Sequence, residues 1–191
     1  MEFPKTLIKR NGYIERIKPF MRKNIAKVLT GQRRVGKSFL LYQLMDQLLV
    51  EEPDANIIYI NFEDFAFSHI QTAEDMHAYI MSKFRKEKYN YIFVDEIQEI
   101  VNFERVIRSL LLNENNDIYI TGSNAKMLSG ELATYLSGRY IEFSVYSLSY
   151  LEFLAFHKLE NNNESLYLYS RYGGLPYLIN LPLKDETVNE Y

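Results

Sequence analysis

The chain has no cysteine, which excludes disulfides and thiolate metal sites. Histidine is scarce, and His69, His77 and His157 lack the spacing that brings two imidazoles onto one metal. No run reaches the roughly 18 uninterrupted apolar residues needed to cross a bilayer, so no membrane association is expected. Lys5, Lys9 and Arg10 near the start are not followed by an apolar stretch, so the start does not read as a secretory signal. These absences are compatible with a cytoplasmic protein. At 191 residues and 47% hydrophobic content, the chain can bury a full core in one domain, or in one domain plus a fragment.

Glycine numbers only eight, yet two stand five apart in Gly31–Ser38, GQRRVGKS. The stretch fits G-x-x-x-x-G-K-[S/T] at every constrained position. Such a pattern signifies a phosphate loop only between a buried strand and a helix. Residues 24–30, NIAKVLT, supply the first, and residues 38–49, SFLLYQLMDQLL, the second. Gly31 and Gly36 let backbone N–H groups converge where a Cβ would obstruct them. The following helix directs its positive end at the same anion. Lys37 brings a full charge to the β- and γ-phosphates, and the Ser38 hydroxyl is placed to ligate Mg²⁺.

Further along, strands and helices alternate. Helices are expected over about 13–21, 38–49, 72–88, 102–112, 126–136, 149–158 and 164–172, the last stopping at Gly173-Gly174. Thr72-x-x-Asp75 and Ser149-x-x-Glu152 read as helix-start capping arrangements. Strands are expected over about 24–30, 56–62, 89–96, 117–124 and 140–146, and the near-continuous apolar run of the third implies burial on both faces. This alternation predicts an α/β domain with a mainly parallel sheet and its ligand at the strands' carboxyl ends. Ser38, Asn61, Asp95, Glu96 and Ser123 all fall at such ends or on the loops that follow them.

Asp95 closes the third strand after YIFV, where a carboxylate is placed to hold Mg²⁺. Glu96 follows directly and points elsewhere, which suits it to polarise a water attacking the γ-phosphate.

GQRRVGKS, YIFVDEIQ and YITGSN, in this order and at these distances, resemble the Walker A, Walker B and sensor 1 elements of AAA+-type P-loop ATPases. With LSGRY, YSLSYLEFL and YGGLP, residues 8–180 resemble a prokaryotic group of AAA+ ATPases usually followed by a C-terminal domain of unknown function. The resemblance implies a P-loop NTPase fold, three-layer α/β/α, with a five-stranded sheet ordered 5-1-4-3-2. It also implies ATP and Mg²⁺ as cofactors. The phosphate loop falls on Gly31, Gln32, Arg33, Arg34, Val35, Gly36, Lys37 and Ser38, with Phe39 beside it. The metal carboxylate falls on Asp95, with Ser38 as the second metal-binding group, and the catalytic glutamate on Glu96. The sensor falls on Ser123 or Asn124, with Ser123 preferred. Asn61 matches the polar residue that restrains the catalytic glutamate. Arg139 matches an arginine finger or sensor, acting within the chain or from a neighbouring subunit of a homo-oligomer. The segment from Arg10 to Ile14 is the expected adenine contact.

The expected organisation is a P-loop core over 1–146 and a partial C-terminal helical lid over 147–191. The 45 residues after Tyr146 leave room for two or three helices, and the chain reads as a fragment lacking the following domain. The function expected is Mg²⁺-dependent ATP hydrolysis coupled to that domain or to a partner. A slow nucleotide-dependent switch uses the same residues and stays open beside it. A small-molecule kinase is disfavoured, because an acid directly after the metal carboxylate suits water activation. Residues 1–27 carry eight Lys/Arg against two Glu, and residues 28–191 fourteen against twenty-three Asp/Glu. The basic start suits either a solvated face or contact with nucleic acid.

Overall fold

Burial along each strand sets its place in the sheet. In the computed structural model, which describes residues 7–123, 134–136 and 138–188, β1 (Ala26–Thr30), β3 (Asn90–Asp95) and β4 (Asn116–Gly122) are buried at every position. β2 (Asn56–Asn61) alternates buried with half-buried residues, and β5 (Tyr140–Ser144) buries only Phe143. Strands covered on both faces belong at the centre and strands with one wet side at the edges. The order β2-β3-β4-β1-β5 meets that requirement, and every described pairing is parallel. It is the expected 5-1-4-3-2 order, read from the other edge.

Side chains alternate across the sheet. On one face Val28, Ile60, Val94 and Ile120 join a single apolar cluster with α3 (Ala73–Ser82) and α4 (Phe103–Leu110), through Met76, Ile80, Val106 and Ile107. The alternate positions carry Leu29, Phe93 and Tyr119, and the rings of Phe93 and Tyr119 stack at 4.5 Å and 7°. α2 (Lys37–Glu51) packs beside β4 and buries Leu40, Leu41, Leu44, Met45 and Leu48, the i, i+4, i+8 spacing of a helix stripe.

By its contacts the chain divides into two units. The first runs to Gly31 and resumes over Lys37–Ser144, and the second comprises Gln32–Gly36 and the chain from Val145 onward. In the second, Ser149 and Glu152 close the expected capping box over α5 (Tyr150–His157), and Asn162 caps α6 (Asn163–Tyr172). Gly174 follows because nothing larger fits: a Cβ there would lie 2.3 Å from the Leu148 carbonyl oxygen. A short α7 (Asp185–Val188) completes the described chain.

Two helices end earlier than the sequence predicts. The first is α1 (Asn11–Ile17), which tightens into a 3₁₀ turn at Lys18–Phe20, because Pro19 has no N–H to continue the ladder. α3 stops at Ser82 rather than near Lys88. The buried Asn90 side chain takes the Arg85 N–H at 2.9 Å and donates to the Arg85 and Lys88 carbonyls, folding 85–88 into a turn. Asn56 donates to the Lys83 carbonyl at 3.0 Å and to Asn90 at 2.7 Å, satisfying the helix end. Of the helix expected over 126–136, only 134–136 lie among the described residues, and they are helical.

Candidate functional site: a nucleotide loop and two acids

β1 delivers the chain to Gly31, and α2 begins at Lys37. Between them the backbone takes left-handed turns at Gly31 (φ 148°), Arg34 (φ 68°) and Gly36 (φ 94°), conformations a Cβ disfavours at the two glycines. Val35 is buried while Gln32, Arg33 and Arg34 are exposed. Phe39 is 47% exposed, its ring edge-on to Tyr42. Lys37 is buried at the positive end of α2, its Nζ donating to the Gly31 carbonyl at 3.1 Å and lying 3.5 Å from Glu96 Oε1.

Asp95, the last residue of β3, is buried and engaged on both oxygens. Thr121 Oγ1 donates to Oδ1, and Tyr59 OH stands 3.5 Å from Oδ2 and 3.1 Å from the Tyr42 hydroxyl. Burial pushes the Asp95 carboxyl up, while hydrogen bonds from Thr121 and Ser38 oppose the rise. Ser38 and Asp95 therefore present a hydroxyl and a carboxylate side by side. No group of three or more His, Cys, Asp or Glu suited to a metal occurs among the described residues. Mg²⁺ needs none, because it keeps several waters and takes one or two protein oxygens plus substrate phosphates. The pair fits that ion.

Glu96 leaves the strand in a left-handed conformation, φ 53° and ψ 52°, held by its N–H donating to Thr121 Oγ1 at 3.0 Å. That turn separates its carboxylate from that of Asp95. Burial pushes Glu96 up, but Gln98, Lys37 and Ser123 outweigh it and hold the carboxyl below its ordinary value. Gln98 Nε2 donates to Glu96 Oε2 at 2.6 Å and lies 3.4 Å from Ser123 Oγ.

The structure thus brings Lys37, Ser38, Asp95, Glu96 and Ser123 together. Asn61 pairs with Asp95 in register, and its side-chain oxygen accepts from the Glu63 N–H at 3.0 Å, closing a turn. The described side-chain partners of Glu96 are Gln98, Lys37 and Ser123. Arg139 is exposed at the amino end of β5, where its carbonyl accepts from Ala26 N at 2.9 Å. β1, five residues or roughly 16 Å at about 3.3 Å per residue, runs from that end of the sheet to the end at Gly31. Asn124 lies outside the described residues. In the segment expected to meet adenine, Arg10 N donates to Gln43 Oε1 at 3.1 Å, tying the segment to α2.

Thr121 and Gln98 escaped the sequence reading. Thr121 sits inside a strand rather than at its end, and only the register, Val94 opposite Ile120, puts it beside Asp95. Gln98 carried no signal beyond its place two residues after Glu96, on the 3₁₀ turn Ile97–Glu99.

A glycine-bounded loop between a buried strand and a helix, with acids ending a parallel strand of the same sheet, defines a P-loop nucleotide-binding domain. Residues 23–154 match the family described as AAA domain (AAA_14), and the chain belongs to that family. It is 38% identical to an uncharacterized protein of Haemophilus influenzae, over 97% of this chain and 47% of that protein. The chain spans about half the length of the curated relatives it matches. Solved structures share the fold. AMPPCP-bound DnaA from Aquifex aeolicus has a TM-score of 0.59 at 14% identity, covering 92% of this chain and 60% of that one. ORC1 of Aeropyrum pernix in complex with DNA has a TM-score of 0.58 at 12% identity, covering 80% and 49%. No helix among the described residues is long and apolar enough to cross a membrane.

Proposed function

We propose that the chain binds ATP with Mg²⁺ and hydrolyses it, driving a conformational change in a C-terminal region or partner. The observation that carries this reading is Glu96, buried and kept anionic within 3.5 Å of Lys37 and next in sequence to the Asp95–Ser38 pair. A base that takes a proton from water must be ionised, and a loop that holds phosphate must supply charge; one cluster does both. The backbone N–H groups of residues 31–38 cradle the phosphates, and Lys37 exchanges Glu96 for phosphate oxygens. Asp95 and Ser38 hold Mg²⁺, which when bound screens phosphate charge. Glu96 accepts a proton from the attacking water, and Ser123 keeps its carboxylate turned to that task. Arg139, exposed at the amino end of β5, is suited to complete the site of a neighbouring copy in a homo-oligomer.

Hydrolysis and nucleotide binding are measured on the full chain. Glu96→Gln is expected to retain ATP binding and lose turnover by ~10²- to 10⁴-fold, the range of general-base catalysis. Lys37→Ala is expected to lose binding itself. Wild-type turnover in Glu96→Gln would overturn the assignment of the base.

A second reading, a slow nucleotide-dependent switch on nucleic acid, draws on the DNA-bound ORC1 neighbour and the basic first 27 residues. Negligible turnover by the wild-type chain, with salt-dependent binding to DNA that responds to ATP, would favour it.

A further inference from the structure

Gln98 has one functional end occupied and the other open. Its Nε2 serves Glu96 and reaches toward Ser123, while its Oε1 is buried with no hydrogen-bond partner among the described residues. The carboxylate fixes which way the amide faces. An amide oxygen 2.6 Å from Glu96 Oε2 would set acceptor against anion, so the N–H must point at Glu96 and the C=O away from it. A buried acceptor without a donor is disfavoured, and at a reaction site it marks where a ligand proton belongs.

An attacking water has two protons to place. Glu96 takes one, and the other needs an acceptor at a fixed angle, or the oxygen lone pair is not held in line with the phosphorus. We propose that Gln98 is a catalytic residue that accepts the second hydrogen of the attacking water through Oε1 while its Nε2 holds Glu96. This rests on the ATPase reading above. The water oxygen forms a bond to the γ-phosphorus as the bond from that phosphorus to the β–γ bridging oxygen breaks, its electron pair leaving on ADP. One water proton passes to Glu96, and the other stays on the new phosphate hydroxyl, hydrogen-bonded to Gln98. Because donor and acceptor belong to one rigid amide, a shift of Glu96 moves the acceptor with it, so base and water stay in register.

The test uses Gln98→Met and Gln98→Leu in the full chain, two apolar replacements of different shape on a half-buried turn. ATP turnover is measured beside affinity for ADP with beryllium fluoride, which imitates bound ATP, and for ADP with aluminium fluoride, which imitates the in-line transition state. Turnover is expected to fall on the order of 10- to 100-fold, as for loss of one oriented hydrogen-bonding group. Affinity for the aluminium complex should fall in parallel, with KM, affinity for the beryllium complex and the unfolding midpoint little changed. Turnover within about twofold of wild type, or equal losses of both complexes, would overturn the proposal and leave Gln98 a structural residue. A wild-type chain without hydrolysis would remove the ATPase reading and this proposal together; hydrolysis indifferent to Gln98 would remove this one alone.

Discussion

The sheet carries a lysine–carboxylate pair toward each end of β1, and the two are built differently. Toward the amino end Lys27 meets Asp117, both fully buried, and the ammonium also donates to the Lys23 and Ile25 carbonyls at 3.0 and 2.8 Å. Asp117 Oδ2 accepts from Arg22 N at 2.7 Å and from Tyr119 OH at 2.8 Å. All three ammonium protons are donated and three of the carboxylate's roughly four acceptor sites are filled, which leaves little capacity for a ligand. At the carboxyl end Lys37 stands 3.5 Å from Glu96, and the same cluster contains the unmatched oxygen of Gln98. Burial costs both ends, and it pushes Lys27 down even against Asp117. The amino-end pair recovers that cost inside the protein and anchors residues 22–25 to the sheet. The carboxyl-end pair is the one we propose meets a ligand.

The sharpest way to break this comparison is Lys27→Met, which strands a buried carboxylate. It is expected to cost ~3–5 kcal/mol in denaturant unfolding, as for removal of one partner from a buried pair. Nucleotide affinity of the folded fraction should stay near wild type. Lys37→Ala should cost far less stability, since Glu96 keeps Gln98 and Ser123; equal losses at the two lysines would erase the distinction.

Thr121→Val preserves shape but removes the donor to Asp95 and the acceptor for Glu96 N. A loss of about 1–3 kcal/mol is expected. The Mg²⁺ concentration needed for half-maximal nucleotide binding should rise, and Thr121→Ser should restore both. Restoration of stability without recovery of the Mg²⁺ dependence would limit Thr121 to holding the strands.

The smallest effect belongs to an exposed pair in the second unit. Hydrogen bonds from Arg171 and Tyr172 hold Asp185 below its ordinary value of 3.8. A carboxyl depressed in the folded state contributes stability that is present above 3.8 and lost as pH falls through the folded value. Asp185→Asn should flatten that acid limb of the unfolding midpoint only slightly, because solvent and salt screen the pair. A large flattening would mean that exposure matters less than the contrast between the two buried pairs implies.

Much of this was legible without coordinates where the signal is local. The phosphate loop, both capping boxes and the apolar runs of β1, β3 and β4 depend on neighbours a few residues apart. What was not legible depended on residues far apart in sequence. The premature end of α3 is set by Asn56 and Asn90, the place of Thr121 by strand register, and the distance of Arg139 by β5 starting at the opposite end of the sheet. Asn61 shows the limit most clearly. It ends the right strand with a suitable side chain, and only packing decides what its amide meets, its oxygen here accepting from the Glu63 N–H.

By itself, the amino-acid sequence determined the loop Gly31–Ser38, the acid pair Asp95-Glu96 and the α/β alternation, because backbone conformation and burial period are properties of short stretches. Tertiary structure alone decided which side chains complete the acids. A hydrogen bond is made or lost over a few tenths of an ångström, and only the packed sheet brings Thr121 and Ser123, some 25 residues on, within that distance of Asp95, Glu96 and Gln98.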